Sequence, residues 1–118
     1  MKTLITLLLL VSAAAAANLS GIWTGAFRAV GGDRDVPQLF VLKQEGVNLT
    51  RTGGPDSTEQ YPLINGTVAG DVVKFEVKTD QREFFYDLKG RDKELRGSLT
   101  IKSSHDTRTA KVWLDRAH

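Results

Sequence analysis

The sequence contains no cysteine and only two histidines. The absence of cysteine excludes disulfide bonds, and it also removes the thiol to which a lipoprotein's lipid is attached. With His105 and His118 as the only imidazoles and no thiolate, a closed zinc site lacks enough good ligands. We therefore expect no metal and no cofactor, and a stability that comes from a continuous apolar core.

An excess of charge of one sign is also lacking. Sixteen lysines and arginines stand against fourteen acidic residues, which gives a formal net charge of +2. The basic residues form neither a block nor a stripe that could neutralise a phosphate backbone. We therefore expect no binding to nucleic acid.

Only one long apolar run is present, and it lies at the N-terminus. Lys2 is followed by the mainly apolar segment 4–11, and then by Ser12 and five alanines. This order is typical of a secretory signal peptide, and the run is shorter than the roughly 20 residues of a membrane-spanning helix. We predict a signal peptide at 1–17, one domain at 18–118 and a secreted or periplasmic location. Because small eukaryotic extracellular domains rely on disulfides, the sequence favours a bacterial origin.

After the N-terminal segment, apolar and polar residues alternate. In the segment 73–78, the valines and the phenylalanine share one face, and the lysines and the glutamate share the other. This period of two is that of a half-buried strand, and it recurs at 84–88 and at 95–102. No segment of the mature chain carries an apolar stripe with a helical period. The sequence therefore predicts an all-β domain.

Glycine and short polar residues separate these runs at regular intervals, as hairpins require. The resulting strands, about eight in number, are predicted at 19–29, 36–44, 47–53, 61–69, 72–79, 83–90, 93–102 and 107–115. Longer loops, rich in glycine and acid, are expected at 31–35 and 53–59. A meander leaves two unpaired edges, and closure into an up-and-down barrel is the simplest way to remove them. A β-sandwich is the alternative.

The Gly-x-Trp sequence at 21–23, on the first predicted strand, resembles the motif with which lipocalins, their calycin relatives and avidin-like barrels begin. The resemblance implies a small barrel whose tryptophan closes one end and stacks on a basic side chain near the last strand. Arg108, Lys111 and Arg116 are the candidates for that side chain. The chain is shorter than a typical lipocalin, has no recognisable C-terminal helix, and lacks the tryptophans of the avidin biotin pocket. The resemblance therefore implies the fold of a small secreted bacterial barrel more than a particular ligand.

Candidate catalytic and metal-binding groups are few. The segment 103–106 contains serine, histidine and aspartate, but neighbours in one turn cannot converge on a substrate as a catalytic triad does. Asp33, Asp35 and Asp56 supply oxygen ligands, but the twelve-residue pattern of a calcium loop is absent. We interpret both groups as polar loop residues and expect the protein not to be an enzyme.

Six inward aromatic residues are the predicted ligand-binding residues: Trp23, Phe27, Phe40, Phe75, Phe84 and Tyr86. The interior of an eight-stranded barrel is just wide enough either to be filled by side chains or to hold one small ligand. The first hypothesis is a non-enzymatic binding protein for a small apolar or amphipathic molecule. The alternative is a structural or protein-interaction module of the cell envelope with a filled core.

Phe85 is expected on the outer wall, because it alternates with its inward neighbours. Together with Ile22 and Val72, Phe85 forms the predicted contact surface for a protein partner in the alternative hypothesis. Most other outward positions, in 74–78 and 94–102, are charged or polar. A lipid-facing wall must be apolar, so we expect the protein not to span a membrane.

Overall fold

The structure, a computed structural model, describes residues 18–117, so the predicted signal peptide at 1–17 and His118 lie outside the described residues. The described chain folds into nine strands. They are β1 (Gly21–Ala29), β2 (Val36–Glu45), β3 (Asn48–Asp56), β4 (Glu59–Pro62), β5 (Ile64–Ala69), β6 (Val72–Lys78), β7 (Arg82–Arg91), β8 (Glu94–Ser103) and β9 (Thr107–Arg116). Within this part of the chain, no helix is long and apolar enough to cross a membrane.

The strands form one closed antiparallel sheet. Strands β1 to β3 pair in succession, as do β5 to β9, while β3 pairs with both β4 and β5, and β9 pairs back with β1. The strands β4 and β5 follow one another along β3, and only Leu63 separates them. The result is an eight-stranded up-and-down barrel with one extra strand, which confirms the predicted closed barrel and excludes the sandwich.

The predicted loop at 53–59 is wrong, because β3 continues to Asp56 and β4 begins at Glu59. The carboxylate of Asp56 accepts hydrogen bonds from the backbone N–H groups of Thr58 and Glu59, at 2.9 and 3.0 Å, and from the Thr58 hydroxyl at 2.8 Å. These bonds, first among them the one from the hydroxyl, hold the pKa of Asp56 below its ordinary value. A capped two-residue turn therefore replaces the expected long loop.

Two glycines allow β3 to continue through this segment. A Cβ atom on Gly53 would overlap the ring of Phe40, and one on Gly54 would overlap the backbone carbonyl of Glu59. Glycine in a strand often marks such a close approach by a ring or by another backbone. A Gly-Gly pair is typical of a loop, but here it allows the Phe40 ring and the Glu59 backbone to pack closely against β3.

The inward faces of the strands, together with Leu19 just before β1, form one apolar core. Its buried members are Leu19, Trp23, Phe27, Phe40, Leu42, Leu49, Val73, Phe75, Val77, Tyr86, Leu88, Leu95, Leu99, Ala110, Val112 and Leu114. Trp113 is absent from this cluster, because it alternates with Val112 and Leu114 and lies half-buried on the outer wall. Its cross-strand neighbours there are Ala26 and Arg96.

One end of the barrel is closed by Trp23, whose side chain is fully buried. Its indole N–H donates to the carbonyl of Leu19 at 2.9 Å, and the guanidinium of Arg116 lies 4.7 Å from the centre of its ring. Of the three basic candidates, Arg116 is therefore the one that stacks on the tryptophan. Lys111 lies at an exposed position of β9, and Arg108 lies at the opposite end of the barrel.

Arg116 also connects separate parts of the chain at this closed end. Its Nε, Nη1 and Nη2 groups donate to the carbonyls of Asp92, Ser20 and Asn18, each at 2.7 Å. A planar guanidinium presents its donors in such a fork, and its bonds to carbonyl oxygens are strengthened by its charge. One side chain thus connects residues 18–20 and the β7–β8 turn to the last strand.

We expect Arg116→Lys to lower the free energy of unfolding by about 1–3 kcal/mol, because a lysine ammonium cannot reproduce both the fork and the stacking. Urea denaturation followed by circular dichroism measures the change. Arg108→Lys is the matched control on the same strand, and we expect a change of less than about 0.5 kcal/mol. Equal effects of the two substitutions would contradict the role assigned to Arg116.

Candidate functional site

The barrel interior is packed at the closed end and open at the other. A pocket of about 570 Å³ opens at the end of the barrel that is formed by the β1–β2, β3–β4, β6–β7 and β8–β9 connections. This volume lies within the roughly 300–1,000 Å³ that is typical of small-molecule sites. The apolar side chains in its wall are Phe27, Ala29, Val36, Pro55, Val77, Phe84 and Ile101.

Small residues leave the space that forms the pocket. Ala29, Gly54 and Ser103 line it close to the ends of their strands, and Thr79 lines it directly after β6. At the closed end, the corresponding inward positions carry leucines and a tryptophan that are fully buried. The distribution of side-chain volume along the strands therefore fills one half of the barrel and leaves the other half open.

Three aromatic rings separate the two halves. The rings of Phe75 and Tyr86 stack with their centres 4.7 Å apart, and Phe40 packs against both, at 5.2 and 5.3 Å. Phe40 and Phe75 are almost completely buried, whereas Tyr86 also lines the pocket. Tyr86 therefore forms the floor of the pocket, and Phe40 and Phe75 support it from beneath.

The floor carries one polar pair. The hydroxyl of Tyr86 donates to Oε1 of Gln38 at 2.5 Å, and both side chains line the pocket although at least nine-tenths of each residue is buried. Burial raises the pKa of the Tyr86 phenol, so the group stays neutral and keeps its proton. The interior therefore offers neutral hydrogen-bonding groups at its inner end.

Charged side chains lie at the mouth. The four that line the pocket are Glu59, Arg82, Asp106 and Arg108, and all four are exposed. The Tyr61 hydroxyl donates to Glu59, which raises the pKa of that phenol. The inner part of the pocket is thus uncharged, and ionic groups are confined to its entrance.

The Ser-His-Asp sequence at 103–106 forms the β8–β9 turn beside this entrance. Ser103 Oγ donates to Oδ1 of Asp106 at 2.9 Å, and Arg108 Nε donates to the other carboxylate oxygen at 3.3 Å. The bond from Ser103 first, and that from Arg108 next, hold the pKa of Asp106 below its ordinary value. These contacts stabilise a turn, as the sequence interpretation expects of a polar loop.

Two of the three loop acids that offer oxygen ligands, Asp35 and Asp56, have protein partners. Asp35 pairs with Arg28 at 2.7 Å, and the carboxylate of Asp56 caps its own turn. Among residues 18–117, no group of three or more histidine, cysteine, aspartate or glutamate side chains is placed to hold a metal ion.

The six aromatic residues predicted to bind ligand fall into two groups. Phe27, Phe84 and Tyr86 line the pocket. Trp23, Phe40 and Phe75 do not line it and lie in the packed core beneath it. Ligand contact by any of them stays a prediction, and only the first group has direct access to the open space.

Gln38 is a buried polar pocket residue that is absent from the six predicted ligand-binding residues. It lies at an inward position of β2, between Val36 and Phe40, where alternation places apolar side chains. A lone polar residue on an otherwise apolar face is the signal that could have revealed it. Its partner Tyr86 is 48 residues away in the chain, so no local pattern links the two.

Phe85 lies on the outer wall, half-buried, with the Lys102 ammonium 5.1 Å from the centre of its ring. Its cross-strand neighbours are Glu76 and Thr100, which are not apolar. Ile22 lies on β1, three strands along the sheet from Phe85. The role of this surface in binding a protein partner stays a prediction.

Comparison of this chain with protein-family models, with curated proteins and with solved structures found no match.

Proposed function

We propose that this protein is a secreted or periplasmic, non-enzymatic binding protein that holds a small apolar or amphipathic molecule in the open half of its barrel. The observation that carries the proposal is the uneven filling of the interior, with a packed end around Trp23 and a pocket of about 570 Å³ at the other end. Apolar walls suit the body of such a molecule, and the charged mouth suits a polar end that stays in water.

Two further features support this proposal. The closed barrel, with Arg116 stacked on the tryptophan of the Gly-x-Trp sequence, is compatible with a calycin-like protein. The pattern of residues 1–17 is that of a signal peptide, which supports export. We therefore also propose that the protein is calycin-like, bacterial and exported.

The test is binding of a neutral apolar fluorophore, N-phenyl-1-naphthylamine, followed by its increase in emission. We expect saturable binding that Ile101→Trp weakens at least tenfold, because the new indole occupies the pocket. Thr100→Trp is the matched control, since Thr100 is the adjacent residue of β8 and points to the outer wall. We expect this control to bind the fluorophore as the wild type does.

Native mass spectrometry of the protein purified from its own host complements this titration. We expect a bound small molecule that is absent from the Ile101→Trp variant. A ligand-free mass, together with fluorophore binding that neither substitution changes, would contradict the proposed function.

A further inference from the structure

The polar pair at the pocket floor has unused hydrogen-bonding capacity. The Tyr86 hydroxyl donates its one proton to Gln38 Oε1 at 2.5 Å, and Gln38 Nε2 donates to the carbonyl of Pro37 at 3.0 Å. A phenol oxygen also accepts hydrogen bonds, and a primary amide has two N–H groups. One acceptor on Tyr86 and one donor on Gln38 therefore remain for another molecule.

We propose that Gln38 and Tyr86 bind a neutral hydroxyl group at the inner end of an otherwise apolar ligand. The inference rests on the proposed function and adds the chemical class and orientation of the ligand. A hydroxyl both accepts and donates, so it matches the free N–H of Gln38 and the free lone pair of Tyr86. The ligand enters with this group first, and its apolar body lies against Phe27, Phe84 and Ile101.

A wholly apolar ligand fits this floor less well. Such a ligand shields the spare N–H of Gln38 and the spare lone pair of Tyr86 from water and offers neither of them a hydrogen-bonding partner. Buried polar groups without partners are strongly unfavourable, which is why sites built to bind a hydroxyl reject analogues that lack it.

An ionised head group also fits poorly at the inner end. The charged residues that line the pocket, including Arg82 and Arg108, are exposed at its mouth. The floor itself presents a neutral amide and a neutral phenol, which rest on apolar rings. An anion placed there would lose its hydration without gaining an opposite charge.

Three ligands with one ring system test this inference: naphthalene, 2-naphthol and 2-naphthoate. Their dissociation constants are measured at neutral pH, where the naphthol is uncharged, by displacement of N-phenyl-1-naphthylamine. We expect 2-naphthol to bind at least about tenfold more tightly than naphthalene, although water solvates the naphthol better. We expect 2-naphthoate to bind most weakly.

The decisive variant is the double substitution Gln38→Leu with Tyr86→Phe, which makes the floor apolar. Each single substitution leaves one polar group able to bind the hydroxyl, so we expect it to reduce the preference only in part. In the double variant we expect the preference for 2-naphthol to vanish while naphthalene still binds. Ile101→Val is the matched control, because it changes the wall of the pocket and should keep the preference.

A measurement on the wild type keeps the test independent of how the variants fold. The side-chain amide of Gln38 gives its own pair of signals in a ¹H–¹⁵N spectrum. We expect 2-naphthol to shift these signals more than naphthalene does at equal occupancy.

Three results would overturn the inference. Equal or tighter binding of naphthalene, or tightest binding of 2-naphthoate, would show that the floor does not select a hydroxyl, while the proposed binding function would stand. Failure of all three compounds to bind would contradict the proposed function and this inference together.

Discussion

Trp23→Ala should lower the free energy of unfolding by about 3–5 kcal/mol, which is the range for removing a large buried aromatic side chain. Trp23 has no exposed surface and lies in the main core cluster. Its loss also removes the ring on which Arg116 stacks and the donor to the Leu19 carbonyl. Because the free energy of unfolding of a small domain is about 5–15 kcal/mol, this loss is a large fraction of the total stability.

The second tryptophan supplies the control for this measurement. Trp113 is half-buried on the outer wall, so we expect Trp113→Ala to lower the free energy of unfolding by about 1 kcal/mol. Urea denaturation followed by far-ultraviolet circular dichroism measures both variants. Trp23→Phe, which keeps a ring in place, provides an intermediate case if the alanine variant is largely unfolded.

Each variant also retains one tryptophan, since the chain has two. We expect emission at shorter wavelength when buried Trp23 remains than when Trp113 remains. A Trp23→Ala protein that is as stable as the wild type would contradict the assignment of Trp23 as the closure of the barrel.

The barrel could be predicted because its strands follow local rules. The alternation in 73–78 and 95–102 defines an inward face, and the turns between runs impose antiparallel neighbours. The loop prediction for 53–59 was wrong because composition alone cannot distinguish a flexible glycine from one required by packing. Packing requires a glycine at position 53 because a Cβ atom there would overlap the ring of Phe40, which lies on the neighbouring strand.

The candidate site could be predicted only in part. Alternation identifies the inward aromatic residues, but it does not reveal where along the barrel axis each one lies. That position separates Phe27 and Phe84, in the open half, from Trp23, in the packed half. The same limit applies to Arg108 and Arg116, which share the inward face of β9 but lie at opposite ends of the barrel.

Gly25 has a role at the closure of the barrel that the sequence does not reveal. It lies at an inward position of β1, opposite Leu114 of β9, and the β1–β9 pairing joins the first and last strands. A Cβ atom on Gly25 would overlap the backbone carbonyl of Trp113. A flexible side chain can move out of the way, but this carbonyl belongs to the backbone of the closing strand.

We therefore expect Gly25→Ala to lower the free energy of unfolding by at least about 3 kcal/mol, the upper end of the usual range for overpacking. The added methyl group should separate β1 from β9, so backbone amides of these two strands should exchange with deuterium faster than in the wild type. Urea denaturation and hydrogen exchange measured by mass spectrometry check the two effects.

Gly70→Ala is the matched control for Gly25→Ala. Gly70 has a φ of +63° in the β5–β6 turn, and a Cβ atom there would meet nothing within 4 Å. We expect it to lower the free energy of unfolding by about 1–2 kcal/mol through the backbone conformation alone, without a selective rise of exchange in β1 and β9. A Gly25→Ala protein that is as stable as Gly70→Ala, with unchanged exchange in both strands, would mean that the closure between β1 and β9 tolerates a side chain at Gly25.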